Sequence, residues 1–176
     1  ILRRFSNEIS EEIKSRIRQH IDTIEDVAKK AKRLYFFRYF YTKEFCLSFF
    51  QEHLDYLSSK ECYSLLKDQF IPFDERCWIK FISTLEKQDA ARKAQPRTRT
   101  FPDWLMVTIE ECLILKLLGF DINLPSLEPY AHYSEHLSFI LNPEDFDYSQ
   151  VNTEHYMWQN LIYSKEYQPY FVEHKR

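Results

Sequence analysis

The chain has 176 residues, 44% apolar and 17% aromatic, with 24 Lys+Arg against 27 Asp+Glu for a net charge of −3. That is about one domain with ample material for a core, which excludes a disordered tail and a basic field over the whole chain. Gly119 is the single glycine where average usage predicts about twelve, so phosphate loops, dinucleotide turns, tight hairpins and barrel corners are close to excluded and an all-α fold remains.

In chain order, Ile9, Ile13, Ile17, Ile21, Ile24, Val27, Ala28, Ala31 and Leu34 recur at steps of one, three and four. They predict one long helix over 9–34 with a single apolar stripe, capped by Ser6 or Asn7. Residues 34–57 hold Phe36, Phe37, Phe40, Phe45, Phe49 and Phe50, too many for one stripe, and read as a central helix buried on several sides. Thr42 is the one candidate break within it. Ser58 and Ser59 start a short helix over 60–70. Asp74 is a good N-cap for a helix over 75–94 that turns Trp78, Ile79, Ile82 and Leu85 inward.

A basic, proline-containing loop over 95–100 follows, and Pro102 suits the first position of the next helix. That helix, 104–118, is strongly apolar, with Gly119 as the C′ residue that ends it. Residues 121–129 contain two prolines and are expected extended. A short amphipathic helix over 130–141 stops at Asn142-Pro143, and the aromatic tail holds one helix around 153–163. The expected architecture is a compact helical bundle of about five to seven helices over 1–141. An aromatic, proline-containing extension over 142–176 packs on the bundle or on a partner.

Cys46, Cys62, Cys77 and Cys112 form no C-x-x-C pair and fall in predicted helices. They read as small hydrophobes in a reducing intracellular compartment, cytoplasm or nucleus. No apolar run approaches the roughly 20 residues of a membrane span. Ile1-Leu2-Arg3-Arg4 lacks an initiator Met and a signal-peptide apolar region, and reads as the start of an excised fragment or processed chain.

His132-Tyr133-Ser134-Glu135-His136 reads as H-x-x-E-H. Histidines four apart on one helix share a face and can bind Zn²⁺ while the glutamate activates water, as in a metal-dependent hydrolase. The third ligand would have to come from Glu144, Glu154, Glu166 or Glu173, and five-residue patterns arise easily. Surface histidines on a polar helix face are the preferred reading, so no metal, cofactor or catalytic residue is expected. Arg92, Lys93, Arg97 and Arg99 cluster around the proline loop, and Lys29, Lys30, Lys32 and Arg33 form a second basic group. Either could meet phosphates, but the neighbouring acids favour simple solvation, and nucleic acid is not the expected partner. Tyr156, Trp158, Tyr163, Tyr167, Tyr170 and Phe171 are hard to bury together, so part of the tail is expected to anchor on the bundle or a partner.

The stretch 111–126 runs from Glu111 through Leu113, Ile114, Leu115, Leu117 and Leu118 to Phe120-Asp121-Ile122 and Pro125-Ser126. It resembles the last helix of a cyclin box, where a Glu precedes an I/L-rich helix, L-x-F-D-(L/I), two residues and P-(T/S). Residues 78–87 are similar to the family's middle helix, and 130–140 sit where cyclins begin the helix after their first box. The resemblance implies a non-catalytic regulatory subunit that binds a protein kinase or another macromolecular partner. Glu111 falls on the family's kinase-facing Glu. Leu85 takes the place of the kinase-facing Lys, with Lys80 and Lys87 nearby as partner-binding candidates. About fifty residues follow Pro125, too few for a second box. The alternative is a helical adaptor or scaffold subunit of unrelated ancestry. On the interaction reading, Glu111 is at least partly exposed while Cys112, Leu115 and Leu118 turn inward.

Overall fold

The computed structural model describes residues 8–94 and 104–173, and no strand occurs among them. The fold is all-α, as the near-absence of glycine requires. The chain divides into two compact units, Ile1–Cys77 and Trp78–Arg176.

In the first unit the long helix expected over 9–34 is two helices, α1 (Glu11–Asp22) and α2 (Val27–Phe36). Thr23 ends α1, its hydroxyl donating to the His20 carbonyl at 2.8 Å. Asp26 then starts α2 by accepting the Lys29 N–H at 3.0 Å. Both are local side-chain bonds that compete with helix continuation, and the apolar stripe runs straight across them. Ser10 caps α1; the expected caps Ser6 and Asn7 lie outside the described residues.

The helix expected over 34–57 is also interrupted. A 3-10 turn over Arg38–Phe40 leads to Thr42, whose hydroxyl accepts the Phe45 N–H at 3.2 Å and starts α3 (Lys43–His53). The break distributes the six phenylalanines over separate elements, so they are not buried on several sides of one helix. Phe50 is fully buried, whereas Phe36 is 58% and Phe45 41% exposed. Tyr41, Phe45, Phe49 and His53 instead line the outer side at steps of four, the first three rings stacked at 5.0 and 6.3 Å and His53 edge-on to Phe49 at 4.5 Å. The buried set of this unit centres on Leu34, Cys46, Phe50, Leu54, Cys62, Leu65 and Leu66.

Ser58 caps α4 (Ser59–Lys67) in a capping box with Glu61, which also pairs with Lys32. Burial alone raises the Glu61 pKa, but the Lys32 ammonium and the Ser58 N–H and hydroxyl outweigh it and hold the carboxyl below its ordinary value of 4.5. A pKa lowered by folding contributes stability above the unfolded value, and the contribution is lost as pH falls through the folded one. Melting temperatures followed from neutral pH to below that range should therefore drop, and Glu61→Gln should drop less steeply.

The end of α4 hides a strained position. Phe70 N–H bonds to the Leu65 carbonyl at 2.8 Å and Gln69 N–H to that of Leu66 at 3.0 Å, which is a Schellman ending. It places Gln69 at φ +58°, in the left-handed region that suits glycine. Gln69→Gly should raise stability by roughly 0.5–1 kcal/mol in urea unfolding, the relief of strain exceeding the extra chain entropy lost.

The division between units falls inside α5 (Glu75–Ala94). Asp74 caps it as expected, accepting the Arg76 N–H at 2.8 Å. In the second unit Trp78, Phe81 and Leu85 are buried, but Ile79 is 59% exposed, one residue off that spacing and not inward as expected. α6 (Trp104–Leu117) buries Leu105, Thr108, Ile109, Cys112, Leu113 and Leu115. Gly119 ends it at φ +89° with bonds from Gly119 N–H to Lys116 and Phe120 N–H to Leu115, the C′ role read from sequence. The expected loop over 95–100 and Pro102 lie outside the described residues.

Beyond Gly119 the expected extended segment is in fact a 3-10 helix over Leu124–Tyr133. Pro125 sits in its first turn, where no N–H is needed. Ser134 is extended and caps α7 (Glu135–Leu141), so the helix expected from 130 starts five residues later and ends at Asn142 as read. The tail supplies α8 (Tyr156–Tyr163) and α9 (Gln168–Glu173). Its aromatics do divide: Trp158, Tyr167 and Phe171 are buried around Phe139, while Tyr156 and Tyr163 are 46% and 81% exposed. Among the described residues no helix is long and apolar enough to cross a membrane. The four cysteines are buried thiols, and burial pushes that of Cys46 up to about 12.

Candidate functional site

Helix α6 presents two different faces of interest. On one, Trp104, Val107, Glu111, Ile114 and Leu118 follow one another at steps of three and four. Trp104, Val107 and Leu118 are 52%, 36% and 54% exposed, and Glu111 and Ile114 are half-buried. Glu111 is thus partly exposed, and Cys112 and Leu115 turn inward as expected. Leu118 does not: it lies on the Glu111 side, in the turn past the last helical residue. Beside this row Ile114, Leu117, Leu118, Gly119 and Phe120 face Tyr163 of α8 across a groove of about 830 Å³. Lys80 is half-buried and Lys87 exposed, two turns apart on one side of α5.

The other face carries Glu110, adjacent in sequence and turned toward α7 and α8. Its carboxylate accepts the Tyr156 hydroxyl, and it shares a pocket of about 330 Å³ with Met106, His132, Ser134, His136, Asn152 and His155. One polar atom each of Glu110, His136 and His155 lie within 4.8 Å of one another. His136 is 3% exposed, not on a polar surface as expected. Its ring stacks on His155 at 4.8 Å and meets Trp158 at 4.8 Å, because the tail folds α8 over it.

Neither ring nitrogen of His136 has a hydrogen-bond partner among the described residues. Glu135 Oε1 stands 3.9 Å from its Nε2, beyond hydrogen-bond reach, and itself accepts the Trp158 indole N–H at 3.0 Å. Burial, with the neighbouring His155, lowers the His136 pKa to about 4, so its imidazole is neutral near pH 7 with one lone pair available. A buried group of this kind ordinarily costs ~1–3 kcal/mol and calls for a reason. His155 Nδ1 accepts the Met157 N–H at 3.3 Å, a long cap bond at the start of α8.

The H-x-x-E-H run does not act as one helical face. Ser134 breaks it, leaving His132 on the 3-10 helix, exposed and 3.8 Å from the Tyr133 ring. Glu144, Glu154 and Glu166 are exposed, and Glu173 is in α9. The residues that actually approach His136 are Glu110 and His155, each about twenty residues or more away in sequence. No local pattern announces them; only the fold of the tail joins them.

The basic groups are largely engaged within their units. Lys93 pairs with Asp89 at 2.7 Å and Arg92 lies 4.5 Å over the Tyr133 ring. Lys32 pairs with Glu61, and Lys30 reaches the Asp22 carbonyl at 3.3 Å. Arg97 and Arg99 lie outside the described residues. No family model, curated protein or solved structure matches this chain in comparison.

Proposed function

We propose that the chain is a non-catalytic protein-interaction domain that seats an amphipathic helix of a protein partner along the exposed row of α6. The observation that carries this reading is the row itself: Trp104, Val107, Ile114 and Leu118 at alternating steps of three and four, with Glu111 at its centre. That is the spacing at which one helix meets another, and α6 leaves it open to water. Glu111 is the carboxylate of this row, the charge complementary to a Lys or Arg on the partner. The groove beside Leu118 and Tyr163 extends the same surface.

The cyclin-box resemblance of 111–126 makes a protein kinase the partner of first choice, with the domain as its regulatory subunit and Lys80 and Lys87 as additional contacts. A helical adaptor of unrelated ancestry would use the same row and differ in what it binds. The buried thiols suit a reducing, intracellular setting.

The experiment is retention on immobilised protein, with the retained species identified by mass. Wild type should hold a defined partner, and Leu118→Asp should lose it while melting as wild type does, because that side chain is already 54% exposed. Equal retention by both proteins would refute docking on this row.

A further inference from the structure

We infer that Glu110, His136 and His155 bind one zinc ion, with the fourth coordination position open to the pocket they line. The inference stands apart from partner docking, since Glu110 lies about 100° around α6 from Glu111 and is turned toward α7 and α8. Two imidazoles and one carboxylate form a donor set suited to a borderline cation such as Zn²⁺, whereas Mg²⁺ and Ca²⁺ favour all-oxygen sets. The three donors come from three elements: Glu110 from the middle of α6, His136 from the first turn of α7, and His155 from the N-cap of α8.

The independent sign of a ligand is His136. It is 3% exposed, and neither of its ring nitrogens has a hydrogen-bond partner among the described residues, although it sits between two other donors of metal-binding type. An imidazole is kept so only at a cost, and a metal bond to one nitrogen removes the deficit. Tetrahedral zinc ligands at about 2.0–2.1 Å stand roughly 3.3 Å apart, so atoms now within 4.8 Å need close by at most about 1.5 Å through side-chain rotation.

Outer partners are also in place. With His136 Nδ1 on the metal, its Nε2–H faces Glu135 Oε1, now 3.9 Å away, which Trp158 already holds. A carboxylate behind a ligating histidine is the usual second partner and fixes the ring. Tyr156 holds Glu110 in the same manner. Ligation through His155 Nε2 moves that ring's proton to Nδ1 and releases the 3.3 Å cap bond from Met157. Three protein ligands leave one position, and the pocket of about 330 Å³ gives it room for water.

The test is titration of chelator-treated protein with Zn²⁺ in competition with a chromophoric chelator, repeated with Co²⁺ to read the visible bands of a four-coordinate site. Wild type should bind one ion per chain. Glu110→Gln and His155→Ala should each weaken binding by about a hundredfold or more, beyond the roughly 10–100-fold typical of outer-partner changes. Leu118→Asp, outside this pocket, should bind as wild type. Glu110→Gln is the decisive variant because it keeps an acceptor for Tyr156, whereas changes at buried His136 risk the fold. Absence of stoichiometric binding by wild type, undiminished binding by Glu110→Gln and His155→Ala, or loss of binding in Leu118→Asp would each overturn the assignment.

Discussion

Replacing Phe139 with alanine should destabilise the second unit by ~3–5 kcal/mol, the range for a large aromatic removed from a core that relaxes only partly. Phe139 is fully buried on α7, and its ring centroid lies 5.4 Å from Phe146, 5.6 Å from Trp158, 5.7 Å from Tyr167 and 5.0 Å from Phe171. Those to Phe146 and Trp158 are edge-on, the geometry in which aromatic pairs add about 0.5–1.5 kcal/mol to simple burial. Four aromatic side chains of the tail thus converge on one ring, and its loss should loosen residues 146–171 first. Urea unfolding followed by far-UV circular dichroism reads the total. Phe139→Leu should cost clearly less, since it keeps most of the volume. A loss below about 1 kcal/mol for Phe139→Ala would show that the tail is held by something else.

The second large effect belongs to the first unit and is electrostatic. Arg38 is packed between Tyr35 and Tyr39, its guanidinium carbon 4.5 and 4.6 Å from their ring centroids. Its Nη1 donates to the Tyr35 carbonyl at 2.8 Å and its Nη2 to Asp68 at 3.0 Å, and the Tyr39 hydroxyl donates to the same Asp68 oxygen. The two charged side chains are only 11% and 15% exposed. Exposed pairs are worth about 0–1 kcal/mol, but breaking a buried one costs about 3–5 because the remaining charge stays desolvated. Asp68→Ala should therefore destabilise by ~2–4 kcal/mol. Adding Arg38→Met to Asp68→Ala should recover part of this, since the stranded cation is then gone. A double variant less stable than Asp68→Ala would mean that Arg38 acts through its stacking alone. Burial, then the bond to Asp68, raises the Tyr39 pKa, so this network holds across neutral pH without a proton change at that tyrosine.

The capping residues explain which boundaries could be read beforehand. Asp74, Ser58 and Gly119 announce helix ends because a polar or glycine residue coincides with a change in the apolar pattern. Thr23 and Asp26 do the same physical work where the apolar stripe continues unbroken, so periodicity conceals them, whereas Thr42 stands out as a polar residue inside a phenylalanine-rich run. Gln69 adopts a backbone conformation that nothing in its identity suggests; the pull of buried Leu65, Leu66 and Phe70 imposes it. The histidine pocket was invisible for another reason. His136 reads as a polar residue on a short helix until Trp158, twenty-two residues later, covers it, and Glu110 and His155 join it only through the same folding of the tail. The α6 row, by contrast, is a one-helix property, and Glu111 at its centre is the residue that the resemblance of 111–126 to a cyclin box singles out. Leu118 is apolar and reads as inward, yet it is the exposed end of that row.

The most direct measurement is the affinity of the identified partner for wild type and Glu111→Lys, followed by the reciprocal exchange of the partner's facing Lys or Arg for Glu. Glu111→Lys should weaken binding by about 1–3 kcal/mol, roughly 5- to 150-fold, with its melting temperature unchanged, and the paired exchange should restore much of the loss. Unaltered affinity, or a Glu111→Lys protein that no longer folds, would contradict the account, the first by removing the carboxylate from the interface and the second by making it structural.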